Sequence, residues 1–203
     1  SAAGMKGHAT WLIDATGRNR LIARTLGLES ETGDRKDVAY FAHFENFLHD
    51  EVDPGQIIIS ISKHGWAWRI PLQGKLSVGV VMNKDAAKEL GDTPEQRLEN
   101  AISQDPLMQE KFTNAKRVTD VMTYTNYQLI SEQGHGKGYI LLGDSFGFVD
   151  PMLSPGLFMA LEAARLLDKH LFSKGSAPKD SEKRLERYSS ELKHWHVSWQ
   201  KLI

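Results

Sequence analysis

Gly138-Tyr139-Ile140-Leu141-Leu142-Gly143-Asp144-Ser145-Phe146-Gly147-Phe148-Val149-Asp150-Pro151 runs directly into Met152-Leu153-Ser154-Pro155-Gly156 and then into a long apolar segment. Tyr139 to Leu142 reads as a short buried strand, and residues 156–172 read as a helix. Between them lies a loop punctuated by Gly and Pro. Its glycines let a ligand approach the main chain closely. The Asp144 carboxylate at a strand end can accept hydrogen bonds from a sugar hydroxyl, and the free amides at a helix start attract negative charge. Together these are the parts of a nucleotide-cofactor site.

The same letters also fit a second chemistry. Gly143-Asp144-Ser145-Phe146-Gly147 satisfies the G-x-S-x-G elbow of serine hydrolases, in which Ser145 would attack an ester or amide. An elbow needs its helix directly after the serine. Here Asp150-Pro151 and Ser154-Pro155-Gly156 delay the helix, because proline pushes the preceding residue away from helical angles. The hydrolase reading therefore ranks behind the cofactor reading.

Outward from this stretch, the 203 residues balance 25 basic against 26 acidic side chains, for a formal net charge of -1. Charges so interspersed make no basic face for nucleic acid and no polybasic membrane anchor. No apolar run approaches the roughly 20 residues of a membrane span. Ser1-Ala2-Ala3-Gly4 lacks the charged and apolar regions of a signal peptide, so a cytoplasmic location is expected. With no cysteine, disulfides, thiolate metal sites and Cys nucleophiles are excluded. His194 and His196 are two apart on a predicted helix and point in different directions, unlike the i, i+4 pair that holds a metal, and no metal site is expected.

The pattern along the chain predicts a mixed α/β (α+β) fold. Thr10 to Asp14 reads as a strand, Ala15-Thr16-Gly17 as a small-residue turn, and Arg20 to Leu26 as a helix stopped by Gly27. Residues 35–132 read as a β-rich insertion. Within it, strands Trp66 to Leu72 and Leu76 to Met82 are joined by a Gln73-Gly74-Lys75 hairpin. Two helices follow, with Thr93-Pro94-Glu95-Gln96 as N-cap and capping box and Asp105-Pro106 as N-cap plus proline. Residues 133–175 return to the α/β core, and their helix is expected to pack through Leu157, Leu161, Ala164 and Leu167/Leu171. Residues 176–203 form a C-terminal amphipathic helix whose stripe of Leu185, Tyr188, Leu192, Trp195, Trp199 and Leu202 needs a cover. That cover is either this chain's own body or another chain.

Three segments resemble the flavin-dependent halogenases and their FAD-dependent monooxygenase-like relatives, within the glutathione-reductase-type FAD fold. Trp11-Leu12-Ile13-Asp14-Ala15-Thr16-Gly17-Arg18 is similar to the family's strand-plus-ATG segment. Gly65-Trp66-Ala67-Trp68-Arg69-Ile70-Pro71 matches its WxWxIP signature, and Gly143 to Gly156 resembles its GD-to-flavin loop. The resemblance implies a partial FAD-binding domain (residues 1–34 and 133–175) carrying an antiparallel substrate domain. It implies FAD contacts at Thr16, Gly17, Gly143, Asp144, Pro151 and Gly156, with Asp144 accepting from ribityl or ribose hydroxyls. A substrate chamber beside Trp66, Trp68, Ile70 and Pro71 is also implied. Alternate tryptophans on a strand equally fill one face of a sheet.

By the same resemblance the chain is an FAD-dependent oxidoreductase that acts through a flavin hydroperoxide on a small organic substrate, with a flavin reductase as partner. Two departures stand out. No strand-GxGxxG-helix unit appears, so the chain is expected to be a fragment completed by an N-terminal segment or a second chain. The family's catalytic lysine would lie there, and no catalytic residue is assigned here. The halide segment reads Ser154-Pro155-Gly156, and Pro155 has no N–H to give. Leu153 stands where tryptophan-type halogenases place a glutamate. Weakened halide binding is expected. A non-catalytic remnant that assembles with another chain is the alternative.

Overall fold

A computed structural model describes residues 7–48, 55–62, 64–110, 112, 114–126, 128–173 and 181–203. In chain order the elements are β1 (Leu12–Asp14), α1 (Leu21–Leu26), β2 (Ser30–Thr32), β3 (Asp37–Glu45), β4 (Ile58–Ser62), β5 (Gly65–Leu72) and β6 (Lys75–Asn83). Then come α2 (Lys84–Glu89), α3 (Pro94–Gln104), α4 (Pro106–Gln109), β7 (Lys116–Arg117), β8 (Met122–Asn126), β9 (Leu129–Ser131), β10 (His135–Gly136), β11 (Tyr139–Leu141) and β12 (Gly147–Phe148). Two helices, α5 (Pro155–Leu167) and α6 (Ser181–Leu202), complete the mixed α/β fold. The chain divides into two compact units, Ser1–Asp34 with Tyr127–Ile203, and Arg35–Asn126.

In the first unit, β1 lies parallel to β11, with Asp14 opposite Leu141, and β10 pairs antiparallel on the far side of β11. A second sheet runs β12-β9-β2. The strand β9 therefore belongs to this unit, although its position places it in the 35–132 insertion. An extended, β-branched run does not declare which edge it will choose. Gly27, in a left-handed conformation, stops α1 as the sequence predicts.

The helix α5 packs differently from the expected stripe. Its buried positions are Pro155, Met159, Ala163, Leu166 and Leu167, while Leu157 is 74% and Leu161 63% exposed. Apolar residues occur all round this helix, so periodicity alone could not select the buried face. Beyond Leu167 the helix widens into a π-type turn from Asp168 to Phe172. Most of the α6 stripe is covered by its own unit, while Leu202 at its end stays 66% exposed. Leu185, Tyr188 and Leu192 are fully buried, and Phe158 meets the rings of Trp195 and Trp199 edge-on. Residues 174–180, which include the expected start of the C-terminal helix, lie outside the described residues.

The second unit is an antiparallel sheet of order β4-β5-β6-β3-β7, with β8 also paired to β3. The hairpin between β5 and β6 turns at Gln73-Gly74, where Gly74 has φ 71°. Period-two alternation sends Val38, Tyr40, Ala42, Val78, Val80 and Met82 into one core with Leu98 and Ile102 of α3 and Met108 of α4. Thr93 and Gln96 form the predicted capping box at α3, and Asp105 caps α4.

Candidate functional site

Parallel neighbours β1 and β11 end at the same level, so the loops that leave them lie side by side. In open α/β sheets ligands bind in the crevice beyond such strand ends. Backbone and side chain tie these loops together. Leu142 N–H donates to the Asp14 carbonyl at 3.0 Å, and the Ser145 hydroxyl donates to the same oxygen. The Asp14 carboxylate turns the chain from β1 into α1. One oxygen accepts from Thr16 N–H (2.9 Å) and the Thr16 hydroxyl (2.6 Å), and the other accepts from Ile22 N–H (2.7 Å). Burial opposes its ionisation, but those hydrogen bonds and the Arg20 charge outweigh it and hold the carboxyl below its usual range.

Gly143 takes φ 60°, a left-handed conformation, and starts a single 3-10 turn through Ser145. Ser145 is completely buried, and its oxygen also accepts from Leu142 N–H at 2.9 Å. Such a hydroxyl is a structural link with no access to an ester. The helix that should follow an elbow begins ten residues later, at Pro155. The hydrolase reading is thereby corrected: this corner locks its serine inward.

Asp144 projects from the same turn into a cavity of 170 Å³ lined also by Arg18, Arg20, Arg24, Leu129 and Phe148. Burial raises the Asp144 carboxyl, while the charges of Arg18 and His196 pull it back down. Arg20 is held by the hydroxyls of Ser30 (2.7 Å) and Ser131 (2.8 Å) and by the Ser145 carbonyl (3.3 Å). The Arg18 guanidinium lies 4.4 Å from the Phe148 ring centre. Further on, the Asp150 side chain accepts from Met152 N–H and sets a second 3-10 turn over Pro151–Leu153. Ser154 then takes φ 52° and opens α5 without a side-chain cap, so the first amides of that helix have no side-chain acceptor.

The tryptophan halogenase family profile matches residues 2–196. The chain belongs to this family. A tryptophan 2-halogenase of Chondromyces crocatus is 33% identical over 163 residues, 77% of this chain and 31% of that relative. A 1H-pyrrole-2-carbonyl (peptidyl-carrier protein) chlorinase of Pseudomonas fluorescens is 26% identical over 203 residues, 96% of this chain and 45% of that one. The solved structure of the flavin-dependent brominase Bmp2 shares the fold with a TM-score of 0.82 at 23% identity, over 92% of this chain and 48% of that chain. The halogenase-family chain thus spans less than half the length of the curated relatives it matches. FAD is the cofactor of the flavin-dependent halogenases.

Within this halogenase-family chain, the first unit brings Thr16, Gly17, Gly143 and Asp144 to neighbouring strand ends, and places Pro151 and Gly156 on the loop and helix that follow. Thr16 is engaged with Asp14 and Leu21 N–H, and its hydroxyl serves the turn. A Cβ built on Gly17 or Gly156 would meet nothing within 4 Å, so both glycines border open space. In the second unit Trp66 and Trp68 share one sheet face with ring centres 5.5 Å apart, and Phe41 and Tyr124 extend that aromatic row. Ile70 projects from the same side of β5, whereas alternation turns Pro71 to the other. Among the described residues no cluster suited to a metal occurs, and no helix is long and apolar enough to cross a membrane.

Sequence reasoning missed Asp14, the three arginines and His196 as parts of this neighbourhood. An Asp-x-Thr after a strand signals a side-chain-capped turn. Nothing local announces that Arg20 will reach Ser131, 111 residues away.

Proposed function

We propose that this chain forms the flavin-sugar and substrate-facing part of an FAD-dependent oxidoreductase of halogenase or monooxygenase type, acting on a small organic molecule. The observation that carries the reading is Asp144, a half-buried carboxylate at paired parallel strand ends, beside arginines and upstream of a helix whose first turn has no side-chain cap. The residues present fit a flavin nucleotide. A carboxylate accepts hydrogen bonds from ribityl hydroxyls, Gly17 and Gly156 leave room for a ligand, and guanidinium groups suit phosphates. The amides opening α5 favour negative charge on the ring by about 0.3–1 kcal/mol.

Bound and reduced, the flavin supplies the electrons for oxygen activation, with a flavin reductase as their source. The chain's own residues bind and orient. Asp144 holds the sugar chain, Pro151 and Gly156 shape the ring edge, and the Trp66-Trp68-Phe41-Tyr124 row offers an apolar wall for the organic substrate. A hydroperoxide route, with halogenation or oxygenation as its outcome, is what the family resemblance implies.

Asp144→Ala in the intact protein tests the reading. Loss of a charged acceptor worth about 1.5–3 kcal/mol weakens flavin binding roughly 10- to 100-fold, read by quenching of flavin fluorescence. Binding at the wild-type level overturns it.

A further inference from the structure

His196 of α6 is buried to 1% exposure against the turn that carries Asp144. Its Nε2 lies 3.1 Å from the Gly147 carbonyl and its Nδ1 2.9 Å from the carbonyl of Leu192, one helical turn back. The ring meets Phe146 edge-on at 5.0 Å. Gly147 is close-packed on it, since a Cβ there would stand 2.9 Å from His196 Cδ2. His194, two residues earlier, is exposed.

The sheet pattern explains why an imidazole is needed at this point. Ser131 N–H donates to the Phe146 carbonyl at 2.8 Å, one of the ladder bonds that bracket the Gly147–Ile130 pair, while Phe146 N–H turns back to Gly143. In an antiparallel ladder a pair so bracketed is the non-bonded kind, and Gly147 turns its carbonyl away from β9. Among the described residues no further strand lies on that side of β12. A carbonyl in this position needs a donor, and His196 Nε2 lies within reach to supply one. One side chain thus grips the main chain three residues after Asp144 and the ring two residues after it.

We propose that His196 is a positioning residue: by donating from Nε2 to Gly147 and packing edge-on against Phe146, it fixes the Gly143–Phe148 turn and with it the Asp144 carboxylate that holds the flavin's sugar chain. This rests on the reading of Asp144 given above. The imidazole touches no ligand and acts only through the turn. Burial lowers its tendency to take up a proton, while the two carbonyls and Asp144 favour the charged form. Either protonation state with hydrogen on Nε2 serves the role.

Two variants of the intact protein test it, with two readouts. His196→Phe keeps an aromatic ring beside Phe146 and removes the donor, whereas His196→Gln places an amide N–H where Nε2 stood. Amide hydrogen exchange across residues 143–148 is expected to speed up in the Phe variant and return toward wild type in the Gln variant. Flavin affinity is expected to fall about 10-fold in the first, the worth of about one hydrogen bond, and to recover in the second. Should the Phe variant not fold, His196→Asn, whose shorter amide reaches only the Leu192 side, replaces it. Unchanged exchange in the donor-less variant overturns the proposal. So do faster exchange and weaker affinity that change equally in both variants in step with a falling melting temperature, since that marks general packing. If exchange responds as expected while the wild type holds no flavin, His196 positions the turn and the flavin reading of Asp144 is what fails.

Discussion

The Ser145 hydroxyl donates to the main-chain carbonyl of Asp14 and so closes the end of β1 from the turn that follows β11. The residue that looks most like a nucleophile in the sequence is therefore a fastener between two parallel strands. Ser145→Ala removes this bond and the acceptor for Leu142 N–H. A loss of about 1–3 kcal/mol in unfolding free energy is expected, measurable by denaturant titration. A fluorophosphonate probe is expected to leave Ser145 unlabelled in the wild type, and labelling there would contradict the assignment.

Tyr188 provides a second link between distant segments, since its buried hydroxyl donates to the Leu141 carbonyl at 2.6 Å. Burial pushes this phenol well above its ordinary value of 10.0. The folded state keeps the proton at pH values where the unfolded state has lost it, so the contribution is whole below about pH 10 and shrinks as pH rises further. Tyr188→Phe is expected to lower stability by about 1 kcal/mol at neutral pH through the stranded carbonyl, and to flatten the alkaline decline. Tyr139, also raised by burial, leaves a smaller slope behind. Parallel alkaline curves for the two proteins would count against this account.

What could be read in the sequence follows from how local its causes are. The β5-β6 hairpin, the Thr93-Gln96 capping box and the Gly27 stop each depend on a few adjacent residues, and each appears where predicted. The strand–loop–helix run from Tyr139 to the α5 start is local in the same way. The buried face of α5 was not legible, because leucines occupy both sides and the choice is made by what packs against Met159 and Ala163. The partners of Arg20 and His196 were not legible either. Besides near partners at Ser30 and Leu192, their side chains answer to carbonyls and hydroxyls 49 to 125 residues away, and no spacing rule reaches that far.

On the second unit's aromatic face, Gly79 lies opposite Trp68 on β6, and its missing side chain is what lets the indole lie flat. A Cβ there would stand 2.3 Å from the Trp68 ring and 2.5 Å from Phe41. Gly79→Ala is therefore expected to displace Trp68, break its bond from Nε1 to Ser77 (3.2 Å) and cost about 1–3 kcal/mol. Near-ultraviolet circular dichroism, which reports the packing of the tryptophan pair, should change along with the melting temperature. An unaltered spectrum in a stable variant would mean that the row is looser than the packing indicates.

The Pro155 position bears on whether a halide is held at the α5 start. By the family resemblance Ser154, Pro155 and Gly156 would be the halide segment, and Pro155 is the first residue of an α5 that no side chain caps. An amide at that position would point out of the helix end, where donors and the dipole both favour an anion. Pro155→Ser supplies that amide and at most about 1 kcal/mol of stability is lost with the proline's stiffness. Chloride or bromide titration of the flavin-loaded intact protein, followed by flavin absorbance, is expected to show weak binding in the wild type. In the variant the affinity should rise about 3- to 10-fold, the worth of about one hydrogen bond. Equal affinity in both proteins would show that the halide sits away from this helix end.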